Sequence, residues 1–212
     1  MLALGSQMLA GDPVIVPSLS CPDRDGDMQT LLGPNRSFGG FVGFGMKMTQ
    51  INSQGALMSG GEINVILNRS VNIGFAGYGL LTDLNSVNTN DYGDPLYLEM
   101  GYGGLNIEPV LFSKSLVHFT VPVLLGAGGI AESRVRYFDS YDDPAYFDND
   151  IYRSDFFLVI EPGVNAELNI TRFMRVTGGI SYRWVSDVQV PGMSASSLEG
   201  MSMNFGLRLG WF

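Results

Sequence analysis

The chain has few residues that could support thiol, imidazole or metal chemistry. It contains one cysteine, Cys21, and one histidine, His118. This scarcity excludes an internal disulfide, a cysteine-rich zinc site and a metal site with several histidines. We therefore expect neither a metal nor another cofactor.

Basic residues are also scarce, with 12 Lys and Arg against 21 Asp and Glu and a net charge of −9. Nucleic acid is not an expected partner, because phosphate binding needs Lys and Arg gathered on one face. No run of 18 uncharged apolar residues occurs, so we expect no transmembrane helix. Charged residues make up only 16% of the 212 residues and apolar ones 45%, which favours a folded chain over disorder.

From Ser37 onward the hydrophobic pattern has a period of two, which predicts β-strands. Eight alternating segments are expected as strands: 37–49, 60–68, 71–81, 96–111, 116–137, 155–168, 174–185 and 201–211. Most exceed the five or six residues of an average soluble strand and match the roughly 9–11 residues of a membrane-spanning one. At Gly103-Gly104 the apolar positions change phase, which predicts a β-bulge.

The connections alternate in length and in charge. Short turns follow the second, fourth and sixth segments, and each carries one base, namely Arg69, Lys114 and Arg172. The long connections 83–95, 138–154 and 186–198 are acidic, and the first connection, with QINSQGA at 50–56, is intermediate. This alternation is typical of an up-and-down barrel with turns at one end and loops at the other.

Every strand has one apolar face and one face that mixes charged residues with Gly, Asn, Ser and Thr. In a soluble barrel the apolar face points inward, whereas in a membrane barrel it points into lipid. The polar face carries six acids and six bases, a balance that permits buried ion pairs inside a narrow eight-stranded barrel. We therefore predict an all-β fold: a closed eight-stranded antiparallel up-and-down transmembrane β-barrel over residues 37–212.

The N-terminal residues 1–36 form a separate lead segment. Residues 1–10, MLALGSQMLA, are mostly apolar and end in Ala10 before Gly11, as the end of a signal peptide does. An ordinary apolar strand is the alternative. The rest of the segment is rich in proline, and we expect it to be a periplasmic stretch.

Residues 37–212 show a family resemblance. It rests on the strand lengths, the alternation of short and long connections, the alternation of glycine with aromatic residues and the ending GLRLGWF. The chain resembles the small eight-stranded β-barrel proteins of the bacterial outer membrane, the OmpA/OmpX-like barrel class. The resemblance implies a location in the cell outer membrane of a Gram-negative envelope. Its implied partners are outer-membrane lipid and the barrel insertion machinery, which recognises an aromatic C-terminal residue such as Phe212.

Two groups of residues are candidate functional sites. We expect the lumen to be plugged by an ion-pair network of Lys47, Glu62, Glu99, Glu108, His118, Glu161, Glu167, Arg175, Arg183 and Arg208. The acidic loop is a possible extracellular site for a cation or a partner through Asp139, Asp142, Asp143, Asp148 and Asp150, although the sequence does not identify the extracellular ligand.

These features predict a structural or binding barrel without enzymatic activity. One alternative is a lipid-modifying barrel enzyme, because lipid-A deacylases are barrels that use a His-x-Ser pair and this chain has His118 and Thr120 on one face. The other alternative is a soluble lipocalin-like carrier of a hydrophobic ligand. In the preferred interpretation the turn bases lie in the periplasm and the acidic loops lie outside the cell.

Overall fold

The computed structural model describes residues 38–89, 95–133, 151–186, 188 and 192–212. The lead segment, Arg134, Arg136 and the aspartates of the 139–150 loop lie outside the described residues. The elements are β1 Phe38–Ile51, β2 Gln54–Leu67, β3 Val71–Leu80, β4 Leu84–Thr89, β5 Pro95–Leu111, β6 Val117–Thr120, β7 Val123–Ser133, β8 Ile151–Asn169, β9 Met174–Val185, α1 Ala195–Leu198 and β10 Gly200–Trp211.

The strands form one closed antiparallel ring of eight positions, in the order β1-β2-β3-β5-β7-β8-β9-β10. The ring closes where β1 pairs with β10 from Gly40↔Trp211 to Thr49↔Ser202. The short strand β4 continues the position of β3 along β5, and β6 continues the position of β7 between β5 and β8. The predicted eight-stranded up-and-down barrel is therefore confirmed.

The two interrupted positions have local causes. Between β6 and β7 the ladder breaks at Pro122, which has no N–H to donate; its carbonyl oxygen accepts a 2.8 Å hydrogen bond from the Gly163 N–H. Between β3 and β4, the Thr82 hydroxyl replaces a backbone partner by accepting from the Leu57 N–H at 2.9 Å. The predicted segment 116–137 runs through the break at Pro122, whereas β4 lies within residues 83–95, which the sequence predicts to be a loop. Each short strand extends an existing position of the ring, so the ring still has eight positions.

The first connection differs from the prediction of an intermediate loop at 50–56. Strand β2 starts at Gln54, and only Asn52 and Ser53 separate it from β1. Both residues have positive φ angles, 49° and 61°, as a two-residue type I′ hairpin requires. The turn at Asn68 and Arg69 has the same left-handed geometry.

The predicted β-bulge at Gly103-Gly104 is wrong. Strand β5 keeps an unbroken register with both neighbours, pairing Gly103 with Gly77 on β3 and with Ala127 on β7. The same alternate positions of β5 point inward along the whole strand, and only the polarity of their side chains changes. Leu98, Met100 and Tyr102 point inward before the glycine pair, and Glu108 points inward after it. The pattern alone could not distinguish an apolar interior from an apolar outer wall.

Outward-facing side chains of the strands form an apolar belt around the barrel. Large exposed members include Phe38, Phe44, Met48, Ile63, Phe75, Phe156, Leu158, Ile180, Trp184, Met203, Phe205 and Trp211. Phe156 and Trp211 are each 82% exposed. No α-helix among the described residues is long and apolar enough to cross a membrane.

Candidate functional site

The barrel interior holds the candidate site, and its two ends differ. The turn end contains residues 68–70, 112–116 and 170–173. The loop end is opposite, where β1 turns into β2 and where α1 lies; the Asn52 N–H donates there to the carbonyl oxygen of Ser197 at 2.6 Å. Interior side chains come from alternate positions on each strand, since successive residues point to opposite faces.

Lys47 and Glu161 form an ion pair across the middle of the interior. Lys47 Nζ lies 2.6 Å from Glu161 Oε1, and both side chains are almost fully buried. Glu161 also accepts hydrogen bonds from the hydroxyls of Tyr102 at 2.6 Å and Ser181 at 2.5 Å. The ammonium of Lys47 lies 3.6 Å from the ring centroid of Tyr78, so every charge in this layer has a partner.

Arg208 joins three carboxylates in the layer nearer the turn end. Its guanidinium lies 2.7 Å from Glu62 and 2.8 Å from Glu108, and it also contacts Glu167. The fork of guanidinium donors suits such a shared site better than an ammonium would. Asn64 donates to Glu62 at 2.8 Å and completes the layer.

Glu167 extends this network to the turn end. Its Oε2 lies 2.8 Å from His118 Nε2 and 3.3 Å from Arg175 Nη1. His118 and Glu167 are both fully buried. The structure thus brings eight of the ten candidate lumen residues into two interior clusters: Lys47 with Glu161, and Glu62, Glu108, His118, Glu167, Arg175 and Arg208.

The expectation that Arg183 pairs with a lumen glutamate is wrong. Its Nε donates to the carbonyl oxygen of Leu198 at 2.8 Å, and the side chain is fully buried towards the loop end. The helix α1 comes within reach of β9 because residues 192–199 fold over the barrel mouth. A strand pattern contains no information on such a loop, so the sequence could not indicate this partner.

Glu99 does not belong to the interior network. It faces outward on β5, in register with Ala131, and accepts a 2.8 Å hydrogen bond from the Ser133 hydroxyl. Its assignment to the lumen follows from the wrong phase at Gly103-Gly104. The acid that does lie inside near the loop end is Glu132, which Asn88 and Arg153 contact at 2.8 Å and 3.2 Å.

An apolar core fills the interior at the loop end. It is formed by buried side chains from the strands and from the segment around α1: Ile51, Ala56, Met58, Leu84, Leu98, Met100, Tyr102, Leu124, Ile130, Phe157, Val159, Val185, Val188, Met193 and Leu198. Leu198 is fully buried among them. The sequence analysis did not predict this core. Apolar residues at positions of the otherwise polar face, such as Val185, could have indicated it.

Comparison with known proteins places the fold. The chain is similar to Neisserial surface protein A (NspA), with 10% identity and a TM-score of 0.51 over 82% of this chain and 97% of that chain. Two further solved structures match less well: the N-terminal β-barrel domain of Pseudomonas aeruginosa OprF, with 9% identity and a TM-score of 0.48 over 81% and 97%, and Yersinia pestis Ail, with 10% and 0.44 over 82% and 97%.

Neither a protein-family model nor a curated protein matches the sequence. Similarity at this level of identity shows the fold alone, and it agrees with the strand order and register of the ring. The resemblance inferred from the sequence is thereby confirmed: the chain has the fold of the small eight-stranded outer-membrane β-barrels.

Proposed function

We propose that this protein spans the bacterial outer membrane as a non-enzymatic barrel with a plugged lumen and a structural or binding role. The observation that carries the proposal is the inverted polarity of the wall. Phe44, Phe156 and Phe205 are exposed on the outside, while Lys47, Glu161 and Arg208 are buried inside. Such a surface suits hydrocarbon and not water.

The inverted polarity argues against a soluble lipocalin-like carrier. A carrier needs an apolar cavity that is open to its ligand. Here the middle and the turn-end half of the interior contain ion pairs. The loop-end half is apolar, but its own side chains, including Leu198, occupy it.

The same contacts support a plugged lumen. In an eight-stranded barrel the interior is only wide enough for side chains. The Lys47–Glu161 layer, the Arg208 layer and the apolar core under α1 lie in succession along the axis. An ion crossing the barrel would have to displace all three.

The lipid-modifying enzyme is the less favoured interpretation. His118 is fully buried in the interior and is held by Glu167 and Arg175, so it has no access to a lipid outside the wall. The Thr120 hydroxyl is buried beside it and has no hydrogen-bond partner among the described residues. Substituting His118→Gln should therefore leave the lipid A of the host cells unchanged.

The proposed role lies in the acidic loops. Bacterial barrels place their short turns in the periplasm and their longer loops outside, so Arg69, Lys114 and Arg172 would be periplasmic and the 138–154 loop extracellular. Its aspartates, Asp139, Asp142, Asp143, Asp148 and Asp150, are a proposed contact for a divalent cation or a partner.

Planar bilayer recording tests the plugged barrel. We expect the purified full chain, inserted in a bilayer, to give no discrete conductance steps. A matched variant with Lys47→Ala and Glu161→Ala removes one layer and should still be closed, because the Arg208 layer and the apolar core remain. Regular steps from the unaltered protein would contradict the plugged lumen without contradicting the membrane location.

A further inference from the structure

A basic cavity of about 150 Å³ opens at the turn end of the interior. Its lining residues include Arg69, Asn72, Lys114, Arg175 and Phe212. Three of the lining residues are cationic, and none is Asp or Glu. The elements that supply the cations are the β2–β3 turn, the β5–β6 turn and β9, so the barrel closure itself brings them together.

The cations at this cavity have little internal neutralisation. Within the described part of the chain, no carboxylate of Asp or Glu forms an ion pair with Arg69 or Lys114. Arg175 contacts Glu167 at 3.3 Å, but Glu167 is shared with Arg208 and His118. Convergent cations that outnumber the acids beside them attract an anion.

A second, independent observation comes from Asn72. This residue is 1% exposed and lines the cavity, yet neither Nδ2 nor Oδ1 has a hydrogen-bond partner among the described residues. The Nε of Arg175 is also without one in that part of the chain. Buried donors are nearly always satisfied in proteins, so these donors point to a ligand that completes them.

We propose that this cavity binds a phosphate group. Three cationic side chains suit a multiply charged tetrahedral anion better than a single carboxylate. The guanidinium carbon of Arg175 lies 3.8 Å from the centroid of the Phe212 ring, and its Nε has no hydrogen-bond partner among the described residues. The phosphate group is either free phosphate or the headgroup of a phospholipid in the adjacent leaflet.

The test measures inorganic phosphate binding by titration calorimetry, with the full chain in a detergent that contains no phosphate. We expect saturable binding that weakens about tenfold or more in the double variant Arg69→Asn, Lys114→Gln, because two charge-assisted contacts are lost. Asparagine is chosen at Arg69 because φ there is 55° and asparagine tolerates the left-handed region.

Two matched variants separate a built site from general attraction. Arg172→Gln removes a turn base that does not line the cavity, so we expect a change of less than about twofold. Asn72→Val keeps every charge and should still weaken binding. No saturable binding, equal affinity in the double variant, or tighter binding of acetate than of phosphate would overturn the proposal.

The same titration in phosphatidylglycerol nanodiscs identifies the source of the phosphate. If headgroups occupy the cavity, inorganic phosphate binds in detergent but not in the nanodisc. Equal affinity in both assigns the site to free phosphate. Both results support a phosphate site, and neither depends on the orientation or the plugging of the barrel.

Discussion

Lys47 and Glu161 meet across the barrel axis, with Nζ of the lysine 2.6 Å from Oε1 of the glutamate. The pair marks a boundary in the interior. Towards the turn end lie the carboxylates that surround Arg208, and towards the loop end lies the apolar core that includes Leu98 and Met100. The barrel therefore has a polar and an apolar half inside one apolar wall.

Breaking this pair should destabilise the barrel. Lys47→Met leaves Glu161 as an unpaired buried charge, and we expect a loss of about 3–5 kcal/mol in the free energy of unfolding. Guanidinium unfolding of vesicle-inserted protein measures it. The double variant Lys47→Met, Glu161→Gln should recover most of the loss, and equal stabilities of single and double variants would contradict the pairing.

Substituting Arg208 should destabilise the barrel more than substituting Lys47, because Arg208 forms ion pairs with three carboxylates. We expect Arg208→Leu to cost more than Lys47→Met in the same unfolding assay, since it leaves Glu62 and Glu108 facing each other without a cation. Adding Glu108→Gln should restore part of the stability. The control is Arg172→Gln, which removes an exposed base from the turn between β8 and β9 and should cost less than about 1 kcal/mol.

Two glycines of β3 provide a matched test of the interior packing. A Cβ on Gly74 would overlap the carbonyl oxygen of Ile63, whereas a Cβ on Gly79 would have open space around it. We expect Gly74→Ala to destabilise the protein by about 1–3 kcal/mol or to prevent folding. Gly79→Ala should be nearly neutral, and heat-modified mobility on gels reports the folded fraction of both. Equal behaviour of the two variants would show that the interior packs more loosely than these contacts indicate.

The sequence was most informative where a strand has opposite polarity on its two faces. In β10, Met203, Phe205 and Leu207 alternate with Asn204, Gly206 and Arg208, and the structure places the first set outside and Arg208 inside. A period of two assigns residues to the two faces of a strand. When one face is apolar and the other is charged, a narrow membrane barrel has to place the apolar face outside and the charged face inside.

The period of two leads to the wrong face where the interior of the barrel is itself apolar. Leu98 and Met100 lie inside at the loop end, and the pattern cannot separate them from a lipid-facing stripe, so it wrongly predicts Glu99 in the lumen. Loop contacts are also beyond the pattern. The bond from Arg183 to Leu198 depends on how residues 192–199 cross the mouth, and spacing along a strand says nothing about that.

Protease treatment of intact cells tests the orientation. We expect cleavage within residues 138–154, because the long loops face outward in the proposed topology, while the turn at 113–115 stays protected in the periplasm. Permeabilising the outer membrane should then expose the turn side to the protease. Cleavage at 113–115 in intact cells, with 138–154 protected, would reverse the topology.

The most direct test of the membrane barrel uses the two tryptophans of the chain, Trp184 and Trp211. Both face outward, Trp184 near the loop end and Trp211 near the turn end, with 50% and 82% of their surface exposed. Single-tryptophan variants, Trp184→Phe and Trp211→Phe, are reconstituted in vesicles with brominated lipids. If the barrel spans the membrane, we expect lipid bromine to quench the remaining tryptophan in each variant and aqueous iodide to quench it only weakly. Strong iodide quenching without lipid quenching, in a folded protein, would contradict it.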